Sequence, residues 1–174
     1  MTSVRDPGPC DIRRVSIGGV SKRDLLARLS AAGVQLNDHA RDLVERPDFI
    51  VEADGRIVEV GVVTVAELGH ATGATMPILL QAARDRGFDS GPPELALHLR
   101  LQMLDQREVQ TPSPIIGRAP PGSITVALQP FCDDGSVPRG FYLRRVDGEL
   151  WLRGYRSDDS HLWSPEDRFA FVVA

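Results

Sequence analysis

Residues 141–156 read FYLRRVDGELWLRGYR, and no other stretch of the chain constrains the fold as tightly. Asp147-Gly148 accepts the positive φ angles of a two-residue hairpin turn, and apolar and polar residues alternate on either side of it. Such a turn fixes the register: Val146 opposes Glu149, Arg144 opposes Trp151, and Tyr142 opposes Arg153. One face then carries Leu143 and Leu152, with Leu150 beside them, and turns to the core. The other carries Tyr142, Arg144, Trp151, Arg153 and Tyr155 and turns outward. With the apolar runs at 124–131 and 169–173, the last fifty residues read as an antiparallel sheet.

The first hundred residues mix helix and strand signals. Residues 12–17 suit a strand before Gly18-Gly19. Ser21 offers a helix cap, followed by the stripe Leu25, Leu26, Leu29 and Ala32 and a stop at Gly33. Asn37 caps a second helix with Ala40, Leu43 and Val44 inward and Pro47 as its stop, so the two read as a helix pair joined by a tight turn. Residues 49–53 and 56–65 flank Asp54-Gly55 as a hairpin. Thr75 begins a third helix with Pro77 in its first turn, Leu79, Leu80, Ala82 and Ala83 available for burial, and Gly87 as its stop. Beyond Pro92-Pro93, Leu95, Leu97, Leu99, Leu101 and Met103 alternate with polar residues, which predicts a short helical turn and then a strand from about His98. Residues 105–122, with Pro112, Pro114, Pro120 and Pro121, form a connector.

The expected class is α+β, with a helical, mixed N-terminal half packed on a C-terminal antiparallel sheet. Residues 1–10 are a flexible N-terminus and 11–174 a single domain. At 174 residues and 42% hydrophobic the chain can bury one core, and no apolar run approaches the roughly 20 residues of a membrane span. Lys+Arg 20 against Asp+Glu 24 gives a net charge of -4, which argues against nucleic acid or an anionic membrane as a partner. Cys10 and Cys132 form no metal pattern, and no export signal precedes them, which points to a reducing cytoplasm. Lys22 is the only lysine, a usage that suits a GC-rich bacterial coding sequence.

VSIGGVSKRDLLARLSAAGVQLNDHARDL, then VTVAELGHATGAT, PPELALHLRLQMLDQ, GELWLRGY and FAFV, resembles a family of uncharacterised bacterial proteins with no established activity. The resemblance covers most of residues 14–173 and implies a shared fold without a catalytic residue. The chain departs from it at His70, where Phe is usual, and in a longer connector. Gly18-Gly19-Val20-Ser21-Lys22 lacks the spacing of a phosphate-binding loop, so no ATP-driven motor is expected.

Two polar faces are candidate sites. On a strand, His98, Arg100 and Gln102 share one side, with Glu94 just before them. His98 then suits proton transfer, Arg100 anchoring of an anion, and Gln102 orientation of a polar ligand. That is the basis for a small cofactor-independent enzyme, and the bland alternative is a solvated sheet face. The leading expectation is a binding or accessory protein. It would use Tyr142, Arg144, Trp151, Arg153 and Tyr155 for an anionic or aromatic ligand or a protein partner, although cross-strand cation–aromatic pairs also stabilise a sheet unaided. A nucleic-acid module stands third. No cofactor motif is present. His39 and His70 form no ligand pair, and His161 with Asp158, Asp159 and Glu166 lacks a metal spacing.

Overall fold

The computed structural model describes residues 10–110 and 116–174. Of the expected N-terminal segment only Cys10 falls within them, and Pro112 and Pro114 of the connector lie outside. In chain order the elements are Asp11–Ile17 (β1), Lys22–Ala31 (α1), Gln35–Leu36 (β2), Asp38–Glu45 (α2), Arg56–Thr64 (β3), Ala74–Thr75 (β4) and Met76–Asp85 (α3). There follow Phe88–Asp89 (β5), Leu95–Gln102 (α4), Ile124–Val126 (β6), Gly140–Val146 (β7), Glu149–Tyr155 (β8), Leu162–Trp163 (β9) and Arg168–Val173 (β10).

The class is α+β, and one mixed sheet runs through both halves of the chain in the order β1-β3-β10-β6-β7-β8-β2, with β5 on β10. β6 and β10 are parallel, as are β2 and β8. The sheet is therefore not confined to the C-terminal half: the last strand, β10, inserts between β3 and β6 and joins the two halves. β3 and β10, in the middle of the sheet, contribute residues to two separate cores. One face presents Val15, Val60, Ile124, Leu143 and Leu152 to α1, α2 and α4. The other presents Val63, Phe169 and Phe171 to α3 and to Trp163.

Local chemistry sets the helix ends. Ser21 Oγ accepts the Asp24 N–H at 3.1 Å, Leu25 and Leu29 are buried, and Gly33 at φ 73 closes α1. Asn37 Oδ1 accepts the Ala40 N–H at 3.0 Å and also the Gly154 N–H at 2.8 Å, while its Nδ2 donates to Gly154 O at 3.0 Å. One side chain thus caps α2 and extends the edge of β8. Gly154 is required there, because a Cβ would fall 2.5 Å from the carbonyl carbon of His39. β2 follows Gly33 and pairs with β8, so a strand separates the two helices where a tight turn was expected.

Two other expectations are corrected. Residues 49–53 are not a strand, and no hairpin forms about Asp54-Gly55. β1 takes that place, pairing with β3 from Asp11↔Val62 to Ile17↔Arg56. The seven-residue β1 offers a longer ladder, and Phe49 is drawn into the core against Phe131 and Phe141, with ring centroids 6.2 and 6.1 Å away. The strand expected from His98 is α4, a helix. Residues 94–100 are all buried, so both its polar and its apolar positions lie inside, and the helix-favouring Leu, Ala, Arg and Gln residues decide the backbone.

The β7–β8 hairpin has the expected register, with Asp147 and Gly148 at φ 51 and 76. Glu108 of the connector accepts both turn N–H groups, at 2.8 and 2.9 Å. The Gly148 and Asp147 amides hold its carboxyl below the ordinary range.

Candidate functional site

A cavity of about 220 Å³ lies on the outward face of β6, β7 and β8. Register builds its floor: Thr125 of β6 opposes Tyr142 of β7, and Tyr155 of β8 opposes Gly140, over which its ring lies. The β4–β9 pair carries Trp163 to the wall, through Ala74↔Trp163. Residues 117–120 of the connector and Arg156, Ser157 and His161 complete the lining.

Four rings form a chain, one tilted contact followed by two edge-to-face contacts. Tyr142 and Tyr155 have centroids 6.3 Å apart, Tyr155 and Trp163 5.7 Å at 87°, and His161 and Trp163 4.8 Å at 84°. Burial pushes the Tyr155 phenol well above its ordinary value against the nearby Arg139, and pushes Tyr142 up against Arg153 and Arg144. Both are therefore neutral hydroxyl groups at physiological pH. Trp163 is 4% exposed, and its Nε1 has no hydrogen-bond partner among the described residues.

The lining carries basic side chains. It contains Arg118, Arg156 and His161 and no carboxylate. Among the described residues neither arginine forms a salt bridge, whereas Arg139 close by is paired with Asp159. Two carboxylates outside the lining act on it electrostatically, Asp167 on Arg118 and His161, and Asp158 on His161.

The five-residue hairpin face divides at this point. Tyr142 and Tyr155 line the cavity, while Arg144, Trp151 and Arg153 are half-buried on the same sheet face beyond it. The expected cross-strand cation–aromatic pairs give way to one pair within β8, the Arg153 guanidinium 5.2 Å over the Trp151 ring. Trp163, Thr125, Arg118 and Arg156 were not foreseen as site residues. Their segments are short or irregular, and only the β4–β9 pairing brings Trp163 to Tyr155.

The other candidate residues lie across the sheet. α4 shares a core with Leu143 and Leu152, on the face opposite Tyr155 and Trp163, so Arg100 and Arg153 do not converge. Because α4 is a helix, Glu94, His98 and Gln102 form one stripe at four-residue spacing and Arg100 points elsewhere. Gln102 Oε1 accepts the Ser16 N–H at 2.9 Å and its Nε2 donates to Ser16 O at 2.8 Å, so the amide stands in for a neighbouring strand on β1. Arg100 is fully buried and forms no salt bridge among the described residues, although Asp105 acts on it electrostatically. It donates to Gln106 Oε1 at 2.5 Å, to Trp151 O at 3.4 Å and to Met103 O. Burial and then the nearby Arg145 lower its pKa to about 10, so it stays a cation. Gln106 in turn donates to Gly122 O and Leu143 O, which fastens both ends of the connector to the sheet.

Among the described residues no group of three His, Cys, Asp or Glu side chains is placed to hold a metal, and no helix is long and apolar enough to cross a membrane. No protein-family model, no curated protein and no solved structure matches the chain.

Proposed function

We propose that the protein is a binding or accessory protein whose ligand is a small planar aromatic anion, held on the outward β6–β8 face. The observation that carries the reading is a lining of three aromatic rings and two arginines that form no salt bridge among the described residues, with no carboxylate in the lining. Size narrows the class. A cavity of about 150 Å³ accepts benzene, and drug-sized sites begin near 300 Å³. At about 220 Å³ the space suits one ring with one small substituent. Tyr142 and Trp163 supply faces and edges for the ring, and Arg118 and Arg156 supply guanidinium groups for a carboxylate. Arg144, Trp151 and Arg153 extend the same surface for a larger ligand or a protein partner. A cytoplasmic setting belongs to this reading.

Benzoate is the test compound, with benzylamine as the cation of the same shape and cyclohexanecarboxylate as the non-planar anion. Calorimetric titration should give benzoate a Kd of roughly 10 μM to 1 mM, the range open to so small a ligand, and tenfold or more weaker binding of the other two. Arg118→Gln with Arg156→Gln should remove the preference for benzoate over benzylamine. Equal binding of all three compounds, or binding of none, contradicts the proposal.

A further inference from the structure

A second chemical feature lies on the other side of the sheet, where α4 meets the turn after β1. His98 Nε2 accepts the Gly18 N–H at 3.1 Å and lies 3.3 Å from Glu94 Oε2. Glu94 is fully buried. Its Oε1 receives the Glu52 N–H at 3.4 Å, and its Oε2 has no hydrogen-bond partner among the described residues. Nε2 has room for one lone pair or one proton, and it has two claimants. With no proton on the pair, the lone pair serves Gly18. A proton taken from solvent settles between Oε2 and Nε2, whichever atom holds it, and Gly18 N–H then faces an occupied nitrogen.

We propose that Glu94 and His98 form a proton-operated latch on the Gly18-Gly19 turn. Deprotonated, the pair holds the turn; one proton on the pair breaks the Gly18 bond. The turn is otherwise held by the Gly19 N–H to Glu52 O at 3.0 Å, and Glu52 is itself tied to Glu94, so release reaches the 49–53 segment. Gly18 and Gly19 sit at φ 70 and 73, and a Cβ on Gly18 would fall 2.3 Å from Asp54 O and 3.2 Å from Glu52 O, so the turn is pressed onto the end of that segment without side chains of its own. Together they wall an open cavity of about 590 Å³ lined by Gly19, Ser21, Lys22, Phe49 and Ile50. The charges acting on His98 are Glu94 at the start of α4 and Arg28 from α1, while the turn after β1 and the 49–53 segment present the backbone amides of Gly18 and Glu52. Burial first, and then Arg28, hold the imidazole below its ordinary value against the pull of Glu94, which favours the latched form at neutral pH.

Amide and imidazole NMR of the intact protein between pH 8 and pH 5 tests this. The Gly18 amide shift should follow the His98 ring with one midpoint, and its exchange protection should fall roughly tenfold across it, as expected for loss of one backbone hydrogen bond. Glu94→Gln removes the carboxylate that attracts the proton and should lower the midpoint by about one pH unit. A Gly18 amide that stays constant while His98 titrates overturns the latch. So does a His98 that does not titrate before acid unfolding, or a Glu94→Gln variant whose midpoint is unmoved. If that variant does not fold, the wild-type titration decides alone.

Discussion

Leu152 and Trp151 are neighbours in β8 that point through opposite faces of the sheet, and truncating each separates core from surface. Leu152 is fully buried opposite an equally buried Leu143, between β8 and the helices α2 and α4. Leu152→Ala therefore leaves a cavity that the surrounding sheet and helices can close only in part, at a cost of about 2–5 kcal/mol. Trp151 is half-buried, and its main partner is the Arg153 guanidinium stacked on it. Losing that pair costs about 0.5–1 kcal/mol, and the partly covered ring adds a similar amount. The Arg100 bond to Trp151 is made to the backbone carbonyl and survives the substitution. For a domain of this size 1 kcal/mol moves Tm by about 2–4 °C, so Leu152→Ala should melt roughly 6–15 °C below wild type and Trp151→Ala only a few degrees below. Thermal and urea denaturation followed by circular dichroism measure both. A larger loss for Trp151→Ala than for Leu152→Ala refutes the assignment of faces, because a slip of one residue exchanges them.

Three further outcomes follow from particular contacts. Arg100→Ala strands acceptors on Gln106, Met103 and Trp151 and loosens both ends of the connector; it should cost about 3 kcal/mol or more in urea unfolding. Gly154→Ala drives a Cβ into the backbone of His39 and Ala40 and should lower Tm far more than Gly148→Ala, which meets open space and bears only the strain of φ 76. His98 has a folded pKa below its ordinary 6.5, so the unfolded chain binds the extra proton. Its contribution is complete above about pH 6.5 and is lost as pH falls toward the lowered folded value. The urea midpoint should therefore drop from pH 7 to pH 5.5, and His98→Gln should flatten that slope.

The hairpin was legible because Asp147-Gly148 and the flanking alternation specify turn, register and faces from adjacent residues. The caps at Ser21 and Asn37 were legible for the same reason: each acts on the turn that follows it. α4 was not, since its leucines alternate while every residue between 94 and 100 is buried, and alternation distinguishes strand from helix only where one side meets water. The pairing of β1 with β3 displaced a local hairpin because partners distant in sequence offered the longer ladder. The cavity shows both situations. Tyr142 and Tyr155 followed from the hairpin register, whereas Trp163, Arg118 and Arg156 reach it from segments whose positions only the tertiary fold sets.

The chain has two tryptophans, Trp151 and Trp163, so a proton–nitrogen NMR spectrum holds two indole signals, one from outside the cavity and one from its wall. Titration with benzoate is the most direct test of the binding site. A site at Tyr142, Tyr155 and Trp163 predicts that the Trp163 indole signal moves saturably while the Trp151 signal moves less, and that Tyr142→Ala weakens the response by roughly 1–3 kcal/mol, the scale of one lost stacking contact. A saturable shift confined to Trp151, or no shift of either signal at millimolar benzoate, would contradict it.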